Sequence, residues 1–260
     1  MVGFEVDELK LYMSSDIKIA NGIVLKNPKL GDIVDYGEQA YFNVAQTLCS
    51  TPSSMKLFLN DKMGLDWMKI TDFELFIMLA QTLPQETTKP LLGDLDLTLL
   101  KPYPLTETGE IVLSNKDHTI TINEVIYTIL VEYLRKMHGF NKQVDKAGNS
   151  VTHRVLLDVA RQDAEMAKNK PFKSFLKPLI SAVKCRMGYT MDYMRDMRVF
   201  ELFDDLARLN VIINADAALQ GSFSGFVDTK KMDKQIFDWT REIIAESKTK
   251  NKTILNEGKN

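Results

Sequence analysis

Cysteine is nearly absent from this chain: Cys49 and Cys185 are the only two in 260 residues. Two distant cysteines make neither a disulfide framework nor a structural zinc site, and they point to synthesis in a reducing, cytosolic compartment. Histidine is almost as scarce. His118, His138 and His153 have no second His or Cys at ligand spacing, so no metal is expected. Phosphate-cradling loops and dinucleotide fingerprints need glycines at set intervals, and neither pattern occurs. The nearest approach to a nucleophile elbow, Gly221-Ser222-Phe223-Ser224-Gly225, puts Phe223 where the serine would have to stand. No cofactor is implied, and the chain is not expected to be an enzyme.

Long apolar runs are missing too. The most water-averse stretch runs from Trp67 to Leu83, and its apolar run, Phe73 to Leu83, is about half the length of a membrane span of about 20 residues, so it reads as a buried helix and no membrane is expected. The start, Met1-Val2-Gly3-Phe4-Glu5-Val6-Asp7, is too acidic and too broken for a signal peptide. A net charge of −2 gives no general attraction for nucleic acid or anionic lipid.

What is present is the composition of a folded protein, 45% apolar and 26% charged. Thirteen methionines read as adaptable core filler. The expected fold is mainly helical α+β: an N-terminal β-hairpin plus helices, then a small antiparallel sheet packed with further helices. Two lobes are expected, residues 1–90 and 91–246, followed by a lysine-rich tail, 247–260, too polar to fold.

The chain is legible in order. Asn21-Gly22, between Ile17–Ala20 and Ile23–Lys26, is the dipeptide that most readily turns a two-residue hairpin. A helical pattern runs from about Leu30 to Cys49, and Thr51-Pro52-Ser53-Ser54 opens another capped helix. Thr71 and Glu74 form a capping box for the buried helix, which Pro84 is expected to stop. Short strands are expected near 95–101, 110–114 and 118–121. They lead into an amphipathic helix with Ile122, Val125, Ile126, Ile129, Leu130, Tyr133, Leu134 and Met137 inward, capped by Thr121 and Glu124 and ended at Gly139. A loop over 141–151 and a charged helix over 152–168 follow. The next helix is expected from Pro171 to Met187, apolar on the Phe172 and Phe175 side and kinked at Pro178. Another runs from Met191 to Leu209, residues 210–220 are ambiguous, and Asp233 is expected to cap a last helix.

One charge feature has geometry. From Lys168 to Met191 there are six basic residues and no acid, and on one continuous helix Lys170, Lys173, Lys177 and Lys184 would share a sector of roughly 60°. This is either the wet side of an amphipathic helix or a contact for phosphates or an acidic partner. Phe223, Phe226 and Trp239 pose a similar choice between satellites of the core and anchors for a partner. His138, near a helix C-terminus, reads as a dipole partner.

Three segments carry a family likeness: Thr51–Lys56 followed by Gly64-Leu65-Asp66-Trp67-Met68-Lys69-Ile70-Thr71-Asp72-Phe73-Glu74-Leu75-Phe76; then Glu132-Tyr133-Leu134-Arg135-Lys136-Met137-His138-Gly139-Phe140; and Ser224-Gly225-Phe226-Val227-Asp228 with Asp238-Trp239. Together they resemble proteins associated with tail morphogenesis in tailed bacteriophages and prophages of Gram-positive bacteria. The resemblance implies an assembly role: a chaperone for a phage tail protein, or a minor structural component of the virion tail, found in the host cytoplasm or the particle. A homo-oligomer is compatible with it. A nucleic-acid binder using the lysine stripe is the competing class, and the overall charge speaks against it.

Overall fold

The computed structural model describes residues 4–105, 109–168, 170–223 and 234–243. The chain divides into two compact units, Met1–Phe203 and Asp204–Asn260. As expected, the protein is mainly helical, with a hairpin near the N-terminus and a small antiparallel sheet.

The first unit opens with α1 (Glu8–Met13), capped by the Asp7 carboxylate on Lys10 N–H. Strands β1 (Asp16–Ala20) and β2 (Ile23–Lys26) follow, paired antiparallel around Asn21-Gly22. Gly22 has φ +71°, and a Cβ there would lie 2.8 Å from Ile120 Cγ1, so both conformation and space demand glycine. The expected long helix from Leu30 is two helices, α2 (Leu30–Tyr36) and α3 (Glu38–Leu48). They are broken at Gly37, whose φ of +104° no helix can hold. The segment after Thr51 turns into a short π-helical stretch, Phe58–Lys62.

Thr71 and Glu74 form the anticipated reciprocal box at the start of α4 (Asp72–Ala80). This helix ends before Pro84, which instead precedes α5 (Gln85–Leu92), a helix that two prolines disguise in the sequence. The alternating Leu95–Leu99 is a turn rather than a strand. Asp96 accepts from Thr98 N–H, and Leu95, Leu97 and Leu100 are all buried. Strands β3 (Lys101–Pro104), β4 (Ile111–Ser114) and β5 (Thr121–Ile122) then pair antiparallel in that order.

The helix expected after the sheet is α6 (Glu124–His138), ended by Gly139 in the left-handed conformation. Its cap is Asn123, whose Oδ1 accepts from Ile126 N–H at 2.9 Å; Thr121 is in β5 instead. The buried face is also rotated from the expected stripe. Val125 is 65% exposed, whereas Tyr127, Val131, Arg135 and His138 are buried beside Leu130, Leu134 and Met137. Helix α7 (Ser150–Lys168) follows the expected loop. Then come α8 (Leu176–Met187), α9 (Met191–Asp196) and α10 (Val199–Phe223), within which the boundary between the units falls. A 3-10 turn, Lys234–Phe237, belongs to the second unit. Asp233, the cap expected for a last helix, and the 247–260 tail lie outside the described residues.

Candidate functional site

The residues singled out in the sequence fall into two groups. The lysines belong to the first unit. Helix α8 starts at Leu176, five residues later than the pattern suggests, so Lys177 and Lys184 share one of its faces while Lys170 and Lys173 precede it in non-helical chain. Pro178 consequently sits in the first turn, where a missing N–H costs no bond and no kink is required. Phe172 and Phe175, assigned to the buried side by the longer helix, are 52% and 50% exposed; Leu176 and Val183 supply the buried face.

The reason for the late start lies far away in sequence. Glu38, at the start of α3, accepts from the N–H groups of Phe175 and Leu176 at 2.6 and 2.8 Å and from the Ser174 hydroxyl at 2.6 Å. The Ser174 hydroxyl oxygen in turn accepts from Lys177 N–H. A carboxylate from another helix thus fills the place where a phosphate would seek the positive end of α8. Further along, ion pairs tie α2 to α9. Lys29 reaches Asp196 and Arg195 reaches Asp35, both at 2.8 Å, while an Arg198 guanidinium N–H donates to the Asn27 carbonyl.

The aromatic candidates belong to the second unit. Phe223, the last residue of α10, is 84% exposed, and Trp239 is 49% exposed. Arg208 donates to the main-chain carbonyls of Trp239 and Arg241 at 2.6 and 2.9 Å, which fixes the backbone beneath the indole. Asp238 accepts from Thr240 through both its N–H and its hydroxyl, and these bonds hold the carboxyl below its ordinary range. Phe226 lies outside the described residues.

The three histidines are apart from one another, and each has its own partner. His118 is exposed at a turn and bonds the buried Ser114 hydroxyl at 3.0 Å. That hydroxyl also engages the Ile120 carbonyl and the Thr121 hydroxyl, so it is tied into the β4–β5 turn. His153 stacks on Trp67 with ring centres 5.6 Å apart, its Nε2 lying 3.5 Å from Asp66.

His138 is the correction. Far from being a charged partner of the helix end, it is buried in a cluster with Tyr41, Phe42 and Phe140. Nδ1–H donates to the Leu134 carbonyl at 2.7 Å, which leaves Nε2 to accept from the Tyr41 hydroxyl at 2.6 Å. Burial pushes the imidazole pKa down to about 4 and the Tyr41 phenol well above its usual value. The Cys49 thiol is likewise pushed up to about 12 by burial, which removes it as a nucleophile near neutral pH. Among the described residues, no group of three or more His, Cys, Asp or Glu is placed to hold a metal ion. No described helix is long and apolar enough to cross a membrane.

The sequence gives no sign of two clefts that flank the loop after α6. One, of about 750 Å³, lies between the end of α3, residues 49–55 and residues 139–143; the other, of about 570 Å³, is bordered by residues 51–53, 67–72 and 142–147. The loop between them is pinned at several points. Thr51 Oγ1 donates to the Gln143 carbonyl, Asp145 N–H donates to Ser53 Oγ, and the buried Lys56 pairs with the Asp145 carboxylate at 2.5 Å.

Comparison with known proteins adds a family likeness. Residues 167–244, less than a third of the chain, match the family model described as the YomV second domain, a phage-type Bacillus protein domain. The likeness suggests a phage-associated family. No curated protein and no solved structure matches the chain. The matched stretch contains every lysine and aromatic residue singled out in the sequence as a candidate contact.

Proposed function

We propose that this is a non-enzymatic bacteriophage assembly protein, a chaperone that binds a tail protein through its C-terminal region. The observation that carries the reading is the match of residues 167–244 to a phage-type domain. The surface of that stretch supports it. Phe172, Phe175, Met187, Met191, Tyr193, Phe223 and Trp239 are all large, apolar and at least 45% exposed, and partner-binding surfaces favour Met and aromatic residues. The lysines supply charge for an acidic partner, and with Glu38 already seated on the end of α8 that helix terminus is closed to phosphates.

The test compares two samples from cells producing phage particles. The protein should co-purify with a tail protein from the lysate and be missing from finished particles by mass spectrometry. Its presence in particles at fixed stoichiometry would make it a minor component of the virion tail instead. Retention on DNA at low salt that collapses as salt rises would move the assignment to nucleic-acid binding.

A further inference from the structure

The larger cleft has an unusual lining. Its volume of about 750 Å³ is within the roughly 300–1,000 Å³ of small-molecule sites. None of its twelve lining residues carries a formal charge, whereas twelve residues drawn at the chain's charged fraction of 26% would bring about three. Hydroxyls and amides dominate instead.

Their hydrogen-bonding state defines what they can offer. Thr47 and Ser50 donate their hydroxyl protons to the carbonyls of Asn43 and Gln46, at 2.8 and 2.9 Å, so a ligand meets only their lone pairs. The side-chain amides of Asn43, Gln46 and Asn141 are exposed and make no hydrogen bond among the described residues. Phe140 closes the set. Its ring is half-buried and held by His138, 5.2 Å away and nearly parallel, and by Phe42 at 6.4 Å.

The geometry points to a binding site for a neutral saccharide. Every sugar hydroxyl brings a proton to acceptor-only oxygens such as those of Thr47 and Ser50. Amides, which both donate and accept, can bridge neighbouring sugar hydroxyls that do the same. The Phe140 ring supplies an apolar face for the C–H side of a pyranose. An acidic glycan would find no cation here. A peptide main chain presents no C–H ring face for Phe140 to cover.

The full-length protein should retain neutral glycans on an array that also carries acidic glycans and neutral polar peptides. Calorimetric titration with a retained glycan should give an affinity insensitive to salt. Asn43→Ala combined with Asn141→Ala should weaken it by about tenfold or more. Because these amides bond nothing in the protein, the double variant should melt at the wild-type temperature. Failure to retain any neutral glycan, preference for acidic glycans, equal binding of neutral peptides or undiminished affinity in the double variant would each overturn the assignment. None of these outcomes depends on whether the protein assists tail assembly.

Discussion

Helices α6 and α7 are both amphipathic in sequence, yet eight of the fifteen residues of α6 are buried and only Leu157 of the nineteen in α7. Periodicity fixes which residues share a face, but not how many neighbours that face will meet. Helix α6 follows directly from β5, with Phe73 and Phe76 packed on its Tyr127, and Tyr41 and Phe42 on its His138. Helix α7 is held at a few points: Leu157 against Leu59, Trp67, Leu75 and Leu79, His153 on Trp67, and Arg161 paired with Asp61. Val151, Val155, Val159 and Met166 remain exposed on it. Surface helices of this second kind owe their place to single contacts.

The contrast is open to direct attack. Leu134→Ala in α6 removes a fully buried side chain and should cost ~3–5 kcal/mol by urea unfolding, against ~2 kcal/mol for Leu157→Ala, where partly buried side chains packed on the same cluster, such as Met78, can settle into the space. Equal losses would break the comparison.

The next effect is one of pH. In the folded protein His138 takes up a proton only near pH 4, whereas in the unfolded chain it does so near 6.5. The native state therefore holds its full share of stability above pH 6.5 and loses it progressively as pH falls towards 4, by up to ~3 kcal/mol. His138→Gln, which keeps an acceptor for Tyr41, should flatten that slope in unfolding titrations across the same range.

A smaller change is expected from Glu38→Gln. The amide still accepts but loses its charge at the end of α8, and melting should report a loss of ~1 kcal/mol. Smallest of all, Val155→Thr on the open side of α7 should shift stability by less than ~0.5 kcal/mol. A larger shift would mean that this side is covered in solution, and sedimentation would then show self-association.

Much of the fold was legible because the signals were local. Asn21-Gly22 turned the hairpin, Thr71 and Glu74 started α4, and Gly139 stopped α6, each within a few residues of the feature it governs. The misreadings share a cause as well. Gly37 interrupts a continuous apolar pattern through a backbone angle that the pattern does not encode. The alternation Leu95–Leu99 could bury Leu95 and Leu97 as well in a turn as in a strand. Asn123 displaced Thr121 as the cap because β5 needed Thr121 for its ladder.

Of the candidate contacts, Phe223 and Trp239 are exposed. The lysine geometry, however, rested on a helix start that Glu38 overrides, and the neutral cleft is assembled from segments nearly 100 residues apart, beyond the reach of any spacing rule.

The seat of Glu38 on α8 also bears on synthesis and dissection. Ribosomes make α3 long before α8 emerges, so the earlier part of the chain holds ready the group that will finish the later helix. A fragment cut at residue 167 to isolate the phage-type region would leave that group behind. Its first helix would then fray from its leading turn, for want of a carboxylate that the preceding chain supplies.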